Sequence, residues 1–188
     1  MRLRHIFVGL LIVIASSSLA LAADTYKIDP VHSVVGFAVK HMEVSPFYGR
    51  FNEPTGAITL DSADPSKSSF NIEIAAEKVD TGNDKRDAHL RTPDFFDAKQ
   101  FPTITFKSTS VKGSGDSFEV SGDLTLHGVT KSITVPVRKT GEKETGKGVR
   151  TGWEAMFDIK RSDFGMTGMI PQISDDVQLL VALAAVKQ

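Results

Sequence analysis

The densest set of reactive side chains in this sequence is the run Asp84, Lys85, Arg86, Asp87, His89 and Arg91. Two carboxylates, an imidazole and two guanidinium groups so close together could serve acid–base catalysis, because the carboxylates and the histidine can pass protons between them. The same composition is what a solvated helix face carries. A third use is electrostatic: Arg86 or Arg91 at the mouth of a pocket could hold an anionic headgroup, since a guanidinium presents paired donors to phosphate or carboxylate oxygens. Residue types alone leave all three open.

Elsewhere the templates of catalysis are missing. There is no H-E-x-x-H, no G-x-S-x-G, no phosphate-cradling glycine loop with its lysine and no dinucleotide fingerprint. Gly113 to Ser117 has the wrong spacing for a nucleophile elbow and reads as a turn. Four histidines, His32, His41, His89 and His127, follow the first 22 residues. On an unbroken first strand His32 and His41, an odd number of residues apart, point to opposite faces. His127 falls in a predicted turn, and His89 on a predicted helix with no second histidine at i+3 or i+4. The expectation is therefore no metal site, no cofactor and no catalytic residue. The chain also lacks cysteine, which removes thiol nucleophiles and zinc–thiolate sites.

The elements that would carry these residues are mostly strands. Apolar and polar side chains alternate with period two in short runs separated by Gly, Pro, Asp and Ser. Val35, Phe37 and Val39 mark the first run, Phe51 to Leu60 the second, and Phe70, Ile72 and Ile74 the third. Thr103 to Lys107 is the fourth, Phe118, Val120, Leu124 and Leu126 the fifth, and Ile133, Val135 and Val137 the sixth. Trp153, Ala155, Phe157 and Ile159 form the seventh, and Val177 to Val186 the eighth. His127-Gly128 predicts a tight hairpin between runs five and six. Pro136 predicts a bulge or an imperfectly closed seam, because it cannot donate to a ladder. Gly113 to Gly115 and Gly141 to Gly148 read as flexible turns.

Between runs three and four the rhythm changes. Asn83 can cap a helix whose first turn holds Asp84 and Asp87, and Thr92-Pro93 resembles a second helix start. One or two short helices are expected there. The segment from Arg161 to Asp176 is irregular yet holds Phe164, Met166, Met169, Ile170 and Ile173. It either lines a ligand entrance or folds against the outside of the sheet.

Arg2 and Arg4, an apolar run from Ile6 to Ile14 and Ala20-Leu21-Ala22 together have the pattern of a secretory signal. Residues 1–22 are expected to be cleaved, leaving 23–188 as one domain; Ser16, Ser17 and Ser18 interrupt the apolar run too early for a membrane anchor. Loss of Arg2 and Arg4 takes the 22 basic residues to 20 against 23 acidic ones. No block of like charge suggests nucleic acid, and no later segment is apolar enough to span a bilayer. An exported chain without disulfides must be stabilised by packing.

Several segments, in order, resemble the YceI-like family of exported polyisoprenoid-binding proteins. They are Tyr26 to Ser33, Phe37 to His41, Gly49-Arg50-Phe51, Asp84 to Arg91, Phe95-Phe96-Asp97, Phe101 to Phe106, Leu124 to Lys131 and Arg161 to Met166. Tyr26 stands where an indole is common and Ser132 where proline is common. Periodicity by itself does not separate a barrel from a sandwich. The resemblance implies an all-β fold: an eight-stranded antiparallel lipocalin-like barrel with a short helical insertion between strands 3 and 4. It also implies an elongated apolar cavity, an isoprenoid or fatty-amide-like ligand, and dimers in several members. The expected cavity wall is Phe37, Val39, Phe51, Phe70, Ile72, Ile74, Phe96, Phe106, Phe118, Leu124, Trp153, Phe157, Phe164 and Met166, with Arg86 and Arg91 at the headgroup. The same apolar residues could instead simply fill the core. The expected function is a periplasmic or secreted lipid carrier or sequestering protein, serving quinone chemistry, envelope maintenance or stress protection. The alternatives are a lipid- or metabolite-modifying enzyme using Asp84 to Arg91, and a stress-protection module that binds partners through the Arg161 to Asp176 loop.

Overall fold

Alternation of side chains builds eleven strands in the computed structural model, which describes residues 23–188; the expected signal segment lies outside the described residues. The strands are β1 (Asp24–Ile28), β2 (Val34–His41), β3 (Ser45–Asn52), β4 (Thr55–Leu60), β5 (Ser69–Ala75) and β6 (Val79–Asp80). After α1 (Asp84–Leu90) come β7 (Thr103–Ser114), β8 (Ser117–Leu126), β9 (Val129–Thr145), β10 (Gly148–Lys160) and β11 (Asp176–Lys187).

These resolve into an eight-stranded antiparallel barrel. Both β1 and β2 pair with β11, β3 pairs with β2 while β4 pairs with β1, and β6 pairs with β3 while β5 pairs with β4. Each couple is thus one long strand, broken once. The ring runs β1–β2, β3–β4, β5–β6, β7, β8, β9, β10, β11 and back to β1–β2. Closure pairs most of the edges that would otherwise template aggregation, leaving β6 and the upper part of β9 bonded on one side only.

The three breaks lie side by side and each has a local cause. At the first, Asp29 accepts hydrogen bonds from Val31 N–H at 3.1 Å, His32 Nδ1 at 2.9 Å and Arg150 Nη1 at 2.8 Å, stabilising the turn Pro30–His32. Ser33 then replaces a backbone rung, since its hydroxyl donates to Ala184 O at 3.2 Å and accepts from Ala184 N–H at 2.9 Å. The second break is Glu53, left-handed at φ 58°, followed by Pro54, which supplies no N–H. At the third, the turn Ala76–Lys78 ends the β5 ladder: Ala76 N–H donates a last rung to Pro102 O at 2.8 Å, and proline has no N–H to return it.

This crease divides the buried side chains in two. The lower half packs Tyr26, Ile28, Ile58, Phe70, Val111, Val120, Trp153, Leu183 and Ala185. The upper half gathers Val35, Phe37, Phe51, Ile74, Val79, Ile104, Leu124, Leu126, Phe164 and Met166. Ile72, Phe106 and Val181 touch both.

His127 and Gly128 form the predicted hairpin turn, both left-handed at φ 52° and 74°. The turn predicted over Gly141 to Gly148 is shorter than expected. β9 continues to Thr145, so only Gly146 and Lys147 turn, because β10 pairs with those residues as far as Thr145. Pro136 sits where pairing between β9 and β10 stops: Val137 opposite Ala155 is the last pair. From Val129 to Pro136, β9 pairs only with β8, leaving a slit in the upper wall.

Two charged motifs fasten the upper half. In the helical insertion Asn83 caps α1, its Oδ1 accepting from Arg86 N–H at 3.0 Å. The second helix does not form, because the Thr92 hydroxyl donates backward to His89 O at 2.8 Å, closing α1 instead of starting a new turn. Asp87 is buried and accepts from both Thr81 N–H and the Thr81 hydroxyl. Arg91 donates to Glu77 O at 2.8 Å and Val79 O at 3.0 Å, tying the helix to β6. In the long loop, Arg161 is only 4% exposed and its guanidinium gathers the carbonyls of Ser174, Met166 and Ile173, each at 2.9 Å. Ser162 adds two bonds to the Asp175 carboxylate at 2.8 Å.

The arginine and histidine partners of Asp29, the arginine foremost, lower its pKa to about 2. A depressed carboxylate stabilises the fold above its unfolded pKa, and that contribution disappears as pH falls toward 2. Asp29→Asn should therefore cost about 1–2 kcal/mol at neutral pH, with the gap from wild type narrowing in urea titrations as pH drops below 4. Arg161→Met leaves three carbonyls without their donor. It should cost about 2–4 kcal/mol, and hydrogen exchange should accelerate between Met166 and Ser174 before the barrel strands are affected.

Candidate functional site: an apolar cavity in the upper barrel

The inward faces of the upper strands do not fill the space between them. A cavity of about 430 Å³ remains, within the ~300–1,000 Å³ typical of small-molecule sites. Its floor is aromatic. Phe70 meets Trp153 edge to face at 5.5 Å between ring centres, and Phe118 packs beneath them, 5.9 Å from Trp153 and 6.4 Å from Phe70. The Trp153 indole N–H donates to Thr151 Oγ1 at 2.9 Å, so the floor holds no unpaired polar group.

The walls come from period two. β2 supplies Val35, Phe37, Val39 and His41; the adjacent strand β3 supplies Phe47 and Phe51. Between those two lies Gly49, opposite Phe37 in register. A methyl group at Gly49 would stand 2.3 Å from the Phe37 ring, so glycine is what lets that ring lie across the neighbouring strand. Phe37, Phe51 and Phe96 form a second aromatic group, with centre-to-centre distances of 5.8, 5.1 and 6.5 Å. Ile72, Ile74, Ile104, Phe106 and Leu124 continue the wall, and Ala155, Phe157, Ile159, Leu179 and Val181 complete it beside the slit.

Five lining residues are exposed: His41, Arg86, His89 and Met169 locate the mouth, and Glu154, bonded to Arg138 at 2.8 Å, stands on β10 next to the slit. Arg86 is the cation at this rim. Its guanidinium lies 4.3 Å above the centre of the Phe47 ring and donates to Thr81 Oγ1 at 2.7 Å and Thr81 O at 2.8 Å. His89 bonds to Asp94 at 2.8 Å and stands edge-on to Phe95. Arg161 also reaches the lining, and burial pulls its pKa below the ordinary arginine value. Among the described residues, no three His, Asp or Glu side chains are grouped to hold a metal ion.

Of the fourteen apolar residues expected at the wall, twelve line the cavity: Phe37, Val39, Phe51, Phe70, Ile72, Ile74, Phe96, Phe106, Leu124, Trp153, Phe157 and Met166. Phe118 and Phe164 do not. Phe118 supports the floor from below, and Phe164 is buried in the upper core, where His127 Nδ1 holds its carbonyl at 3.1 Å. Arg86 and Arg91 also separate, since Arg86 lines the mouth while both bonds of Arg91 go to backbone carbonyls behind it. Phe47 was missed because Pro46 and Gly49 disguise the alternation of β3, although Phe47, Gly49 and Phe51 keep its period. The loop after β10 lines the entrance, through Met166, Met169 and Ile173.

Residues 26–185 match the model of the YceI-like domain. A UPF0312 protein of Pseudomonas aeruginosa strain LESB58 is 40% identical over 172 residues, 90% of each chain. Among solved structures, Burkholderia cenocepacia BcnA is 26% identical with a TM-score of 0.75, over 85% of this chain and 99% of that one. A polyisoprenoid binding domain from Saccharophagus degradans shares the fold at 19% identity and a TM-score of 0.65, over 87% of this chain and 98% of its own. A family match over nearly the whole described barrel, joined to a relative of this identity and coverage, makes this chain a member of the YceI-like family.

Proposed function

We propose that this protein is an exported, non-catalytic carrier or sequestering protein that holds one long apolar chain in the upper barrel. The ligand class is a polyisoprenoid, an isoprenoid quinone, or a fatty amide or acid. The observation that carries the reading is the cavity itself: preformed, walled by aliphatic and aromatic side chains, floored by Trp153 and Phe70, and bordered by a cation at one mouth. Burying ~20 carbons at ~0.8 kcal/mol per methylene supplies ~16 kcal/mol gross. Association and ordering cost ~4–15 kcal/mol, so tight binding requires a hollow that exists before the ligand arrives. The fold neighbour from Saccharophagus degradans is named for polyisoprenoid binding, in keeping with this class.

Binding without turnover is supported by how the charged cluster is used. Asp87 and Arg86 are engaged with Thr81, Arg91 with two backbone carbonyls, and His89 with Asp94. Export, with the periplasm as compartment, is supported by the residue pattern of 1–22.

Organic extraction of the purified protein followed by mass spectrometry should release a long-chain apolar molecule, and the stripped protein should take it back with a change in Trp153 fluorescence. Ala155→Phe puts a ring into the void, and uptake should fall at least tenfold while stability changes by less than ~2 kcal/mol; undiminished uptake would place the ligand elsewhere. Arg86→Met should weaken a fatty acid or prenyl phosphate about tenfold and leave a neutral fatty amide nearly unaffected, as titration of both ligands would measure.

A further inference from the structure

Two loops beside the cavity mouth break the same pair of local rules. Met42, in the β2–β3 hairpin, and Met169, in the loop after β10, have left-handed backbones at φ 52° and 56°. Glycine or asparagine occupies that region with least strain. Each position also holds a large apolar side chain in water, 57% exposed at Met42 and 49% at Met169. Val44 and Ile170, 83% and 39% exposed, extend the same two turns. The loops form one unit: Met42 N–H donates to Gln172 O at 2.7 Å, and Ser174 N–H to Lys40 O at 2.9 Å.

Strain and unfavourable solvation at the same residues, repeated in adjoining loops, mark a surface kept for contact rather than for folding. None of the four side chains belongs to either buried cluster. They project from turns, so a flat protein face would meet them only at points, whereas the headgroup layer of a fluid bilayer yields around them. The rim charges fit the same occupant. Lys40 and Arg86 have no carboxylate partner among the described residues, while of the nearby acids Glu43 sits on the hairpin tip and Asp94, beside Gly168, is paired with His89.

We propose that this rim docks on the surface of a lipid bilayer bearing phosphate headgroups. Met42, Val44, Met169 and Ile170 enter the headgroup layer, and Lys40 and Arg86 face the phosphates. The mouth, bordered by Met169 and Arg86, is then held against the bilayer. What the docked protein collects rests on the cavity reading above; docking itself requires no cargo.

The test uses the stripped mature chain and sucrose-loaded vesicles of phosphatidylcholine, with and without one-third phosphatidylglycerol. The wild type should co-sediment with the mixed vesicles at least tenfold more strongly than a triple variant, Met42→Asn with Val44→Ser and Ile170→Ser. That variant should melt no lower than wild type, because asparagine suits the left-handed position, and should still take up an apolar chain delivered from cyclodextrin. A wild type that stays in the supernatant, or a variant that sediments equally, overturns the proposal. So does a vesicle-free wild-type dimer that the variant abolishes, which would make a second copy the occupant. Equal binding to pure phosphatidylcholine overturns the role given to Lys40 and Arg86. A chain that docks but takes up no cargo contradicts the cavity reading alone.

Discussion

β11 is hydrogen-bonded along its length to β10 on one side and to β1 and then β2 on the other, and the whole enclosure depends on that double partnership. No continuous β1–β2 strand could keep both registers through Asp29–Ser33, where the chain leaves the ladder for a short turn. Asp29 N–H and the Ser33 hydroxyl keep contact with Ala184 across the gap. The barrel therefore closes without an unpaired edge at its most irregular point. Two neighbouring strands break at the same level, so the crease is a property of the wall rather than of one loop.

The crease accounts for a barrel that is filled at one end and hollow at the other. Below it, Phe70, Phe118 and Trp153 interlock with Tyr26, Ile58 and Val120, a packed plug of the kind small barrels usually have. Above it, the sheet is interrupted by the helical insertion and by the slit beside Pro136, and side chains of similar size no longer meet across the interior. Side chains that face the hollow have weaker dispersion attraction than those in the plug. The aromatic groups of floor and wall offset this, as do the polar fasteners that hold the segments flanking the mouth.

Those fasteners give the charged motifs a physical meaning. Asp87 and Arg91 fix α1 to the strand before it, while Arg161 fixes the long loop by its carbonyls. Buried charge is tolerated here because each group is hydrogen-bonded to backbone, which has few other partners in these irregular segments. Within the charged cluster of residues 84–91, Asp87 and Arg91 are the members that fasten α1 beside the mouth. Arg86 alone keeps its guanidinium at the mouth, against the Phe47 ring.

The amino-acid sequence by itself determined which face turns inward in the regularly alternating strands, because side-chain direction follows residue parity, but not in β3, where Pro46 and Gly49 interrupt the pattern. It also determined the His127-Gly128 hairpin and the Asn83 cap, since both depend on neighbouring residues only. Parity carries no information about depth along the barrel axis. Phe118 and Trp153 both point inward, yet one lies beneath the floor and the other forms it, and only the register between strands separates them. Arg86 and Arg91, on α1 and at its C-cap, were equivalent by residue type until the fold placed backbone carbonyls beside Arg91. Whether inward residues meet or leave a hollow is set by closure, shear and breaks across strands far apart in the chain, and so belongs to the tertiary structure.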